Sequence, residues 1–126
     1  MNSPSFLAAS LYVAVGGGAG AWLRYLAGRA FPVGGFPYAT LGVNLIGSFA
    51  MGLLAGWLAH NGSESWRLLL GVGVLGGFTT FSAFSLDIVT LAQRGSIGLA
   101  ALYIAVSVAG GIAGIVAGLA MMKASA

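Results

Sequence analysis

Polar residues are so sparse in this chain that they divide it into long apolar segments. A helix that rises about 1.5 Å per residue needs about 20 apolar residues to cross the hydrocarbon core of a bilayer. The uncharged stretches are Met1–Leu23, Ala30–Ser63, Leu68–Leu86 and Gly95–Met122. Each is long enough for one crossing, and the Gly- and Pro-rich sequence from Phe31 to Pro37 predicts a loop before the second.

This pattern predicts an all-α integral membrane protein with four transmembrane helices. We expect helices near residues 6–28, 38–60, 66–93 and 96–122, in a single transmembrane domain covering residues 1–126. The sequence lacks the alternating polar positions of a membrane β-barrel. Because no basic residue precedes the first apolar run, we interpret it as a retained helix rather than a cleaved signal.

Composition excludes several other classes of protein. Of the 126 residues, 59% are hydrophobic and only 6% are charged, whereas soluble domains carry about 25% charged residues. The absence of cysteine excludes disulfides, thiolate metal sites and thiol catalysis. The net charge of +3 comes from scattered basic residues that form no nucleic-acid-binding patch. The expected surroundings of the chain are therefore a lipid bilayer.

The basic residues give little information about orientation in the membrane. After four crossings, Arg67 and Lys123 lie on one side, and Arg24, Arg29 and Arg94 lie on the other. A difference of one basic residue between the two sides gives almost no orientation preference under the positive-inside rule. Other signals could fix one topology. We favour insertion in both orientations and an antiparallel, dual-topology homodimer, because four helices alone hardly enclose a hydrated pathway.

Glycines recur at helical spacing inside the apolar runs, which is typical of close helix packing in lipid. These ladders are Gly16 and Gly20, Gly52 and Gly56, and Gly110, Gly114 and Gly118. The segment from Gly71 to Gly76 also matches the dinucleotide-binding pattern. It lacks the preceding strand and the later acidic residue of that motif, so we interpret the match as chance.

Two of the predicted helices carry polar side chains on one face. Thr40, Asn44 and Ser48 are spaced four residues apart on the second helix, and Tyr103 and Ser107 are four apart on the fourth. Hydrogen bonds between helices explain such residues as well as a polar pathway does. The first, second and fourth helices hold no carboxylate at membrane depth, which argues against a proton-coupled pump.

The third helix combines glycines, hydroxyls and phenylalanines between Gly76 and Ser85, a poor composition for a helix. It predicts a break near residues 76–80, and broken backbone at this depth must be buried in protein or line a polar cavity. The freed carbonyl groups suit a small hard cation such as Na⁺. The electropositive ring edges of Phe81 and Phe84 suit a small anion, although aromatic packing around a kink is the alternative.

Three segments resemble the signatures of the Fluc/CrcB family of fluoride channels. They are residues 17–25, residues 40–47 and the Gly-Gly-Phe-Thr-Thr-Phe-Ser segment that begins at Gly76. The resemblance implies a fluoride-selective channel, not an enzyme, that lets cytoplasmic fluoride leave passively. It also implies an antiparallel homodimer with two pores, multi-pass in a bacterial-type inner membrane, with the lipid bilayer and fluoride as its partners.

The same resemblance implies roles for individual residues. The ring edges of Phe81 and Phe84 face fluoride, and Asn44 donates its amide to the pore. The adjoining polar track comprises Thr40, Ser82, Tyr103 and Ser107, and Arg24 is the vestibule arginine. Backbone carbonyls of Gly76 and Thr79 hold a structural Na⁺ at the dimer centre. Ala83 and Asp87 stand where the family usually has Thr and Glu.

Two alternatives remain from the sequence. A small four-helix multidrug or cation transporter has a similar size, but it needs an embedded glutamate on the first helix, which this sequence lacks. A non-transporting assembly subunit needs only the glycine ladders, with the polar residues as contacts between helices.

Overall fold

The computed structural model describes residues 3–125, and its four long apolar helices confirm the predicted class of helical membrane protein. No strand occurs within the described range. Each helix is long and apolar enough to cross a bilayer, and we refer to them as the four spans. The first, second, third and fourth spans are Phe6–Ala30, Tyr38–Asn61, Glu64–Gln93 and Ile97–Ala124.

Local side-chain and glycine contacts fix where the spans begin and end. The Ser5 hydroxyl caps the first span by accepting from the Ala8 N–H, and the Ser63 hydroxyl accepts from the Trp66 N–H. With Ser63 as its cap, the third span begins two residues before the predicted position. Gly62 ends the second span in a left-handed conformation with a φ of 53°, which favours glycine.

The third span is not a continuous α-helix. Its first turn, Glu64–Trp66, leads into a π-helical segment, Arg67–Leu75, and a short α-helical turn, Gly76–Phe78. The chain is then extended at Thr79 and Thr80 before the helix Phe81–Gln93. The interruption, which we call the break, therefore lies at Thr79 and Thr80, inside the predicted range 76–80.

Glycines let the spans approach each other closely. A Cβ atom on Gly20 would collide with the Val74 carbonyl group, so the first span packs backbone to backbone on the third. A Cβ atom on Gly118 would lie 2.6 Å from both the Leu53 nitrogen and the Phe49 carbonyl oxygen. The fourth span therefore packs in the same way on the second, as small-residue ladders permit.

A small aromatic and aliphatic core lies beside the break. Its buried members are Phe84, Leu91, Ala100 and Tyr103. Phe36, in the loop between the first two spans, packs its ring edge-on against Tyr103, with a centroid distance of 5.5 Å. This core joins the C-terminal half of the third span to the fourth span and to the 31–37 loop.

Candidate functional site

Asn44 on the second span bonds the backbone at the break. Its Nδ2 group donates to the Thr80 carbonyl oxygen at 3.0 Å, and its Oδ1 atom accepts from the Thr80 N–H at 2.8 Å. Thr80 is extended, so its N–H has no partner along a helix, and the Asn44 amide bonds this N–H as well as the Thr80 carbonyl oxygen. A carboxamide has two N–H donors, so the second N–H of Asn44 is free to bond another group.

Hydroxyl groups complete the local structure of the break. The Thr79 hydroxyl donates back to the Leu75 carbonyl oxygen at 2.9 Å. The Thr80 hydroxyl accepts from the Ala83 N–H at 3.1 Å and so caps the helix that restarts at Phe81. A threonine at this position is a favoured N-cap, which explains why the helix resumes there.

Arg24 on the first span contacts the other side of the break. Its Nε–H donates to the Gly77 carbonyl oxygen at 3.2 Å, and the side chain is half-buried. This contact is not deducible from the sequence, because the two residues are 53 positions apart.

A cavity of about 290 Å³ opens beside the break, which we call the break cavity. Ser107 lines it, and its buried Oγ atom has no hydrogen-bond partner within residues 3–125. An orphaned hydroxyl beside a cavity indicates a place for a polar guest. The full lining is Asn44, Ser48, Thr79, Thr80, Phe81, Phe84, Ser107 and Val108.

Ser48 also lines the break cavity, although the family resemblance implied no role for it. It lies one turn beyond Asn44, on the polar face of the second span that helical spacing predicted from the sequence.

The two phenylalanines at the break lie in very different surroundings. Their ring centroids are 5.9 Å apart, and the ring planes are inclined by 48°. Phe84 is only 9% exposed, whereas Phe81 is 80% exposed. The chain therefore buries one ring in its own core and presents the other outward.

Two further cavities continue from the break cavity, and each shares lining residues with the cavity before it. Thr80 also lines a cavity of about 180 Å³, the arginine cavity, whose lining includes Arg24, Thr40 and Ala83. Thr40 also lines a cavity of about 280 Å³ under the 31–37 loop, beside Asp87. Hydroxyl-bearing residues thus stand at both junctions of a row of cavities from the break to one end of the bundle.

The remaining residues expected in the site line none of these three cavities. Tyr103 is fully buried and donates its hydroxyl to Asp87 Oδ2 at 2.9 Å. Ser82 is exposed, with its Oγ atom 3.4 Å from Thr80 Oγ1, and Gly76 is exposed on the outer face of the third span. The break cavity thus brings together Asn44, Thr79, Phe81, Phe84 and Ser107, and the arginine cavity adds Arg24 and Thr40.

Comparison with known proteins identifies a family and close relatives. The sequence model of the family described as CrcB-like protein, Camphor Resistance (CrcB), matches residues 11–119. A Novosphingobium aromaticivorans protein named fluoride-specific ion channel FluC is 57% identical over 93% of this chain and 98% of its own length.

Two further relatives carry related names. Fluoride-specific ion channel FluC of Caulobacter vibrioides strain NA1000 is 51% identical over 90% of this chain and 94% of its own length. Fluoride-specific ion channel FluC 2 of Nitrobacter hamburgensis is also 51% identical, over 90% of this chain and 95% of its own length.

Proposed function

This chain belongs to the CrcB-like family, and from this membership we propose that it is a fluoride-selective channel that lets cytoplasmic fluoride leave passively. It is a transport protein rather than an enzyme. The predicted membership of the fluoride-channel family is confirmed. The observation that carries the function is the break cavity, whose lining is uncharged and whose wall holds the Ser107 hydroxyl, unpartnered within the described part of the chain.

The chemistry of the break cavity suits a small, strongly hydrated anion. Replacing the water around fluoride requires hydrogen-bond donors, and Asn44 and Ser107 supply an N–H and an O–H to the cavity. Phe81 and Phe84 line the same space, and aromatic ring edges are electropositive. Neutral donors bind without the strong hold of a buried cation, so the ion can also leave, as conduction requires.

Passive conduction explains the polar groups better than pumping does. No carboxylate lines the break cavity. Small proton-coupled transporters carry their coupling glutamate on the first helix, and the first span of this chain has no acidic residue. An inside-negative membrane potential drives an anion outward with about 2.3 kcal/mol per charge for each 100 mV. The potential and the concentration gradient therefore supply the driving force without proton coupling.

A second copy of the chain completes the pathway in our proposal. Phe81 is 80% exposed, and the polar Ser82 beside it is also exposed at membrane depth. Polar surface in contact with hydrocarbon is costly, so a protein partner over this face is favoured over lipid. A homodimer would enclose the outer side of the break, and two chains would give two pores.

The distribution of charge supports an antiparallel arrangement, and the bacterial sources of the relatives support a bacterial-type inner membrane as its location. Two basic residues on one side against three on the other provide little orientation bias. Arg67 is also paired with Glu64, its Nη2 atom 2.7 Å from Glu64 Oε1. Insertion in both orientations then supplies the two halves of an antiparallel dimer.

The break also fits a structural Na⁺ at the dimer centre. Na⁺ prefers oxygen ligands, as other hard cations do. Thr79 is extended, so its carbonyl group lies outside the helical hydrogen-bond pattern and could act as a ligand. Gly76 is exposed on the same segment. Carbonyl groups of Gly76 and Thr79 from both copies would hold the ion, which would tie the two breaks together.

Efflux from liposomes tests the proposed function against an assembly subunit. Purified protein is reconstituted into vesicles loaded with potassium fluoride, and release is followed with a fluoride electrode after a potassium ionophore is added. We expect rapid release from wild type and much slower release from Phe84→Leu, with the same oligomeric state in detergent. An assembly subunit would give vesicles as tight as protein-free ones.

A further inference from the structure

We propose that Arg24 is a positioning residue for the break, holding it through the bond between its Nε–H and the Gly77 carbonyl oxygen. Its effect on fluoride flux rests on the proposed channel function, whereas its effect on the backbone does not. The vestibule role implied by the resemblance requires only positive charge. The positioning role requires a donor at one particular atom.

The Gly77 carbonyl group needs a partner because of the break itself. In a continuous helix it would accept from the Phe81 N–H, four residues later. The chain is extended at Thr79, with φ −83° and ψ 156°, and at Thr80, with φ −150° and ψ 124°, so this bond cannot form. An unpaired carbonyl inside a membrane protein is costly. The Arg24 Nε–H, 3.2 Å away, replaces the missing donor.

Two spans hold the break from two sides. Arg24 on the first span bonds Gly77, and Asn44 on the second span bonds both backbone groups of Thr80. The threonine between these anchors, Thr79, is extended. Thr80 lines both the break cavity and the arginine cavity, so its position sets the junction between them.

The backbone of the first span reinforces the contact. A Cβ atom on Gly77 would collide with the Gly17 carbonyl group, so Gly77 lies directly against the first span two turns before Arg24. The close glycine contact fixes the distance between the two backbones. The arginine then fixes the direction of the Gly77 carbonyl.

The shape of the arginine side chain allows it to bond Gly77 and to contact an anion at the same time. A guanidinium group has five N–H donors, and only the one at Nε is used on Gly77. Arg24 also lines the arginine cavity, so its terminal Nη groups remain available to an anion there. A lysine has a single ammonium group at the end of its side chain, so it cannot bond the Gly77 carbonyl oxygen and an anion in the arginine cavity equally well.

Three substitutions separate the donor from the charge. Glutamine has its Nε2 donor at the same distance along the side chain as arginine Nε, but it carries no charge. Methionine has a carbon atom there and neither donor nor charge, and lysine keeps only the charge. Arg29→Gln is the matched control, because Arg29 lies on the same span, is exposed and falls outside the break.

Hydrogen exchange and fluoride efflux are measured together on each variant in liposomes. We expect Arg24→Gln to keep near wild-type protection of the 77–83 backbone amides, and Arg24→Met to exchange there about fivefold faster. Efflux through Arg24→Gln should exceed that through Arg24→Met by a similar factor. Arg29→Gln should match wild type in both measurements.

The proposal is overturned if the Gln and Met variants are equal in exchange at 77–83. It is also overturned if efflux follows charge alone, with Lys like wild type and Gln like Met. If Arg24→Met fails to assemble while Arg24→Gln assembles, the requirement for the donor is supported. If wild type itself passes no fluoride, the proposed function fails, whereas the exchange comparison still decides whether Arg24 positions the break.

Discussion

Asn44 and Thr80 form a reciprocal pair across the second and third spans, in which the side-chain amide bonds both the N–H and the carbonyl oxygen of the threonine. The same side chain lines the break cavity. The two interpretations left open by the sequence, a contact between helices and a donor in a pathway, are therefore compatible. One amide bonds the break and has a donor left for a guest.

Substitutions at Asn44 should disturb both of these roles. Asn44→Ala removes both bonds to Thr80, so we expect the protein to lose about 1–3 kcal/mol of stability and nearly all flux. Asn44→Asp keeps an acceptor for the Thr80 N–H but places a negative charge beside the cavity. Its ionised carboxylate also faces the Thr80 carbonyl oxygen, so it should lose at least as much stability as Asn44→Ala and at least about tenfold in flux. Thermal unfolding and fluoride efflux measure the two effects, and unchanged efflux in Asn44→Asp would contradict the proposed role.

Ser107→Ala isolates the hydroxyl that has no hydrogen-bond partner among the described residues, 3–125. Removing an unsatisfied buried hydroxyl costs the fold little, so the unfolding temperature should stay the same or rise slightly. We expect fluoride efflux to fall by about fivefold, the loss expected for one hydrogen bond to the ion. Ser10→Ala is the matched control, since Ser10 is exposed and its hydroxyl bonds the Phe6 carbonyl oxygen one turn earlier. Equal efflux from the two variants would show that Ser107 does not contact the permeating ion.

The contact between the first and third spans should fail at one glycine and tolerate change at another. A Cβ atom at Gly20 collides with the Val74 carbonyl group, whereas a Cβ atom at Gly18 meets nothing within 4 Å. We expect Gly20→Ala to cost at least about 2 kcal/mol, because backbone on both sides must move. Gly18→Ala should leave stability unchanged or slightly raised, since alanine is the better helix former. Thermal unfolding in one detergent compares them, and equal stability would contradict this packing.

Removing Na⁺ should weaken the proposed dimer. We expect replacement of Na⁺ by N-methylglucamine, which is too large for a site made of backbone carbonyl groups, to increase the fraction of monomer. Light scattering after chromatography in detergent measures that fraction. Restoring Na⁺ at the same ionic strength is the control, and it should restore the dimer. A monomer fraction that does not depend on the cation would contradict the proposal that Na⁺ holds the two copies together.

The sequence predicted most of what determines the fold class. Apolar runs of membrane length indicated the four spans, and the helix-breaking composition after Gly76 indicated the break. Both features depend on local preferences that are visible residue by residue. Glycine spacing also indicated close packing, although which spans pair is decided by the shapes of their surfaces.

Contacts between distant residues could not be predicted in the same way. The π-helical segment Arg67–Leu75 has the composition of an ordinary apolar helix, and Gly73 within it packs against Gly16 of the first span. The role of Tyr103 in the polar track stays a prediction, and its bond to Asp87 was not foreseen from the sequence. The bond between Arg24 and Gly77 exists only because the break frees a carbonyl group at that place. Each depends on how whole spans are arranged.

Comparison of fluoride with chloride is the most direct test of the account, because its central claim is that neutral donors and ring edges at the break conduct one small halide. Vesicles holding the wild-type protein are loaded with equal concentrations of the two potassium salts, and both anions are followed after an ionophore is added. We expect the vesicles to release their fluoride within seconds. Chloride should stay inside, as it does in protein-free vesicles. Release of both anions at similar rates, or of neither, would contradict the claim.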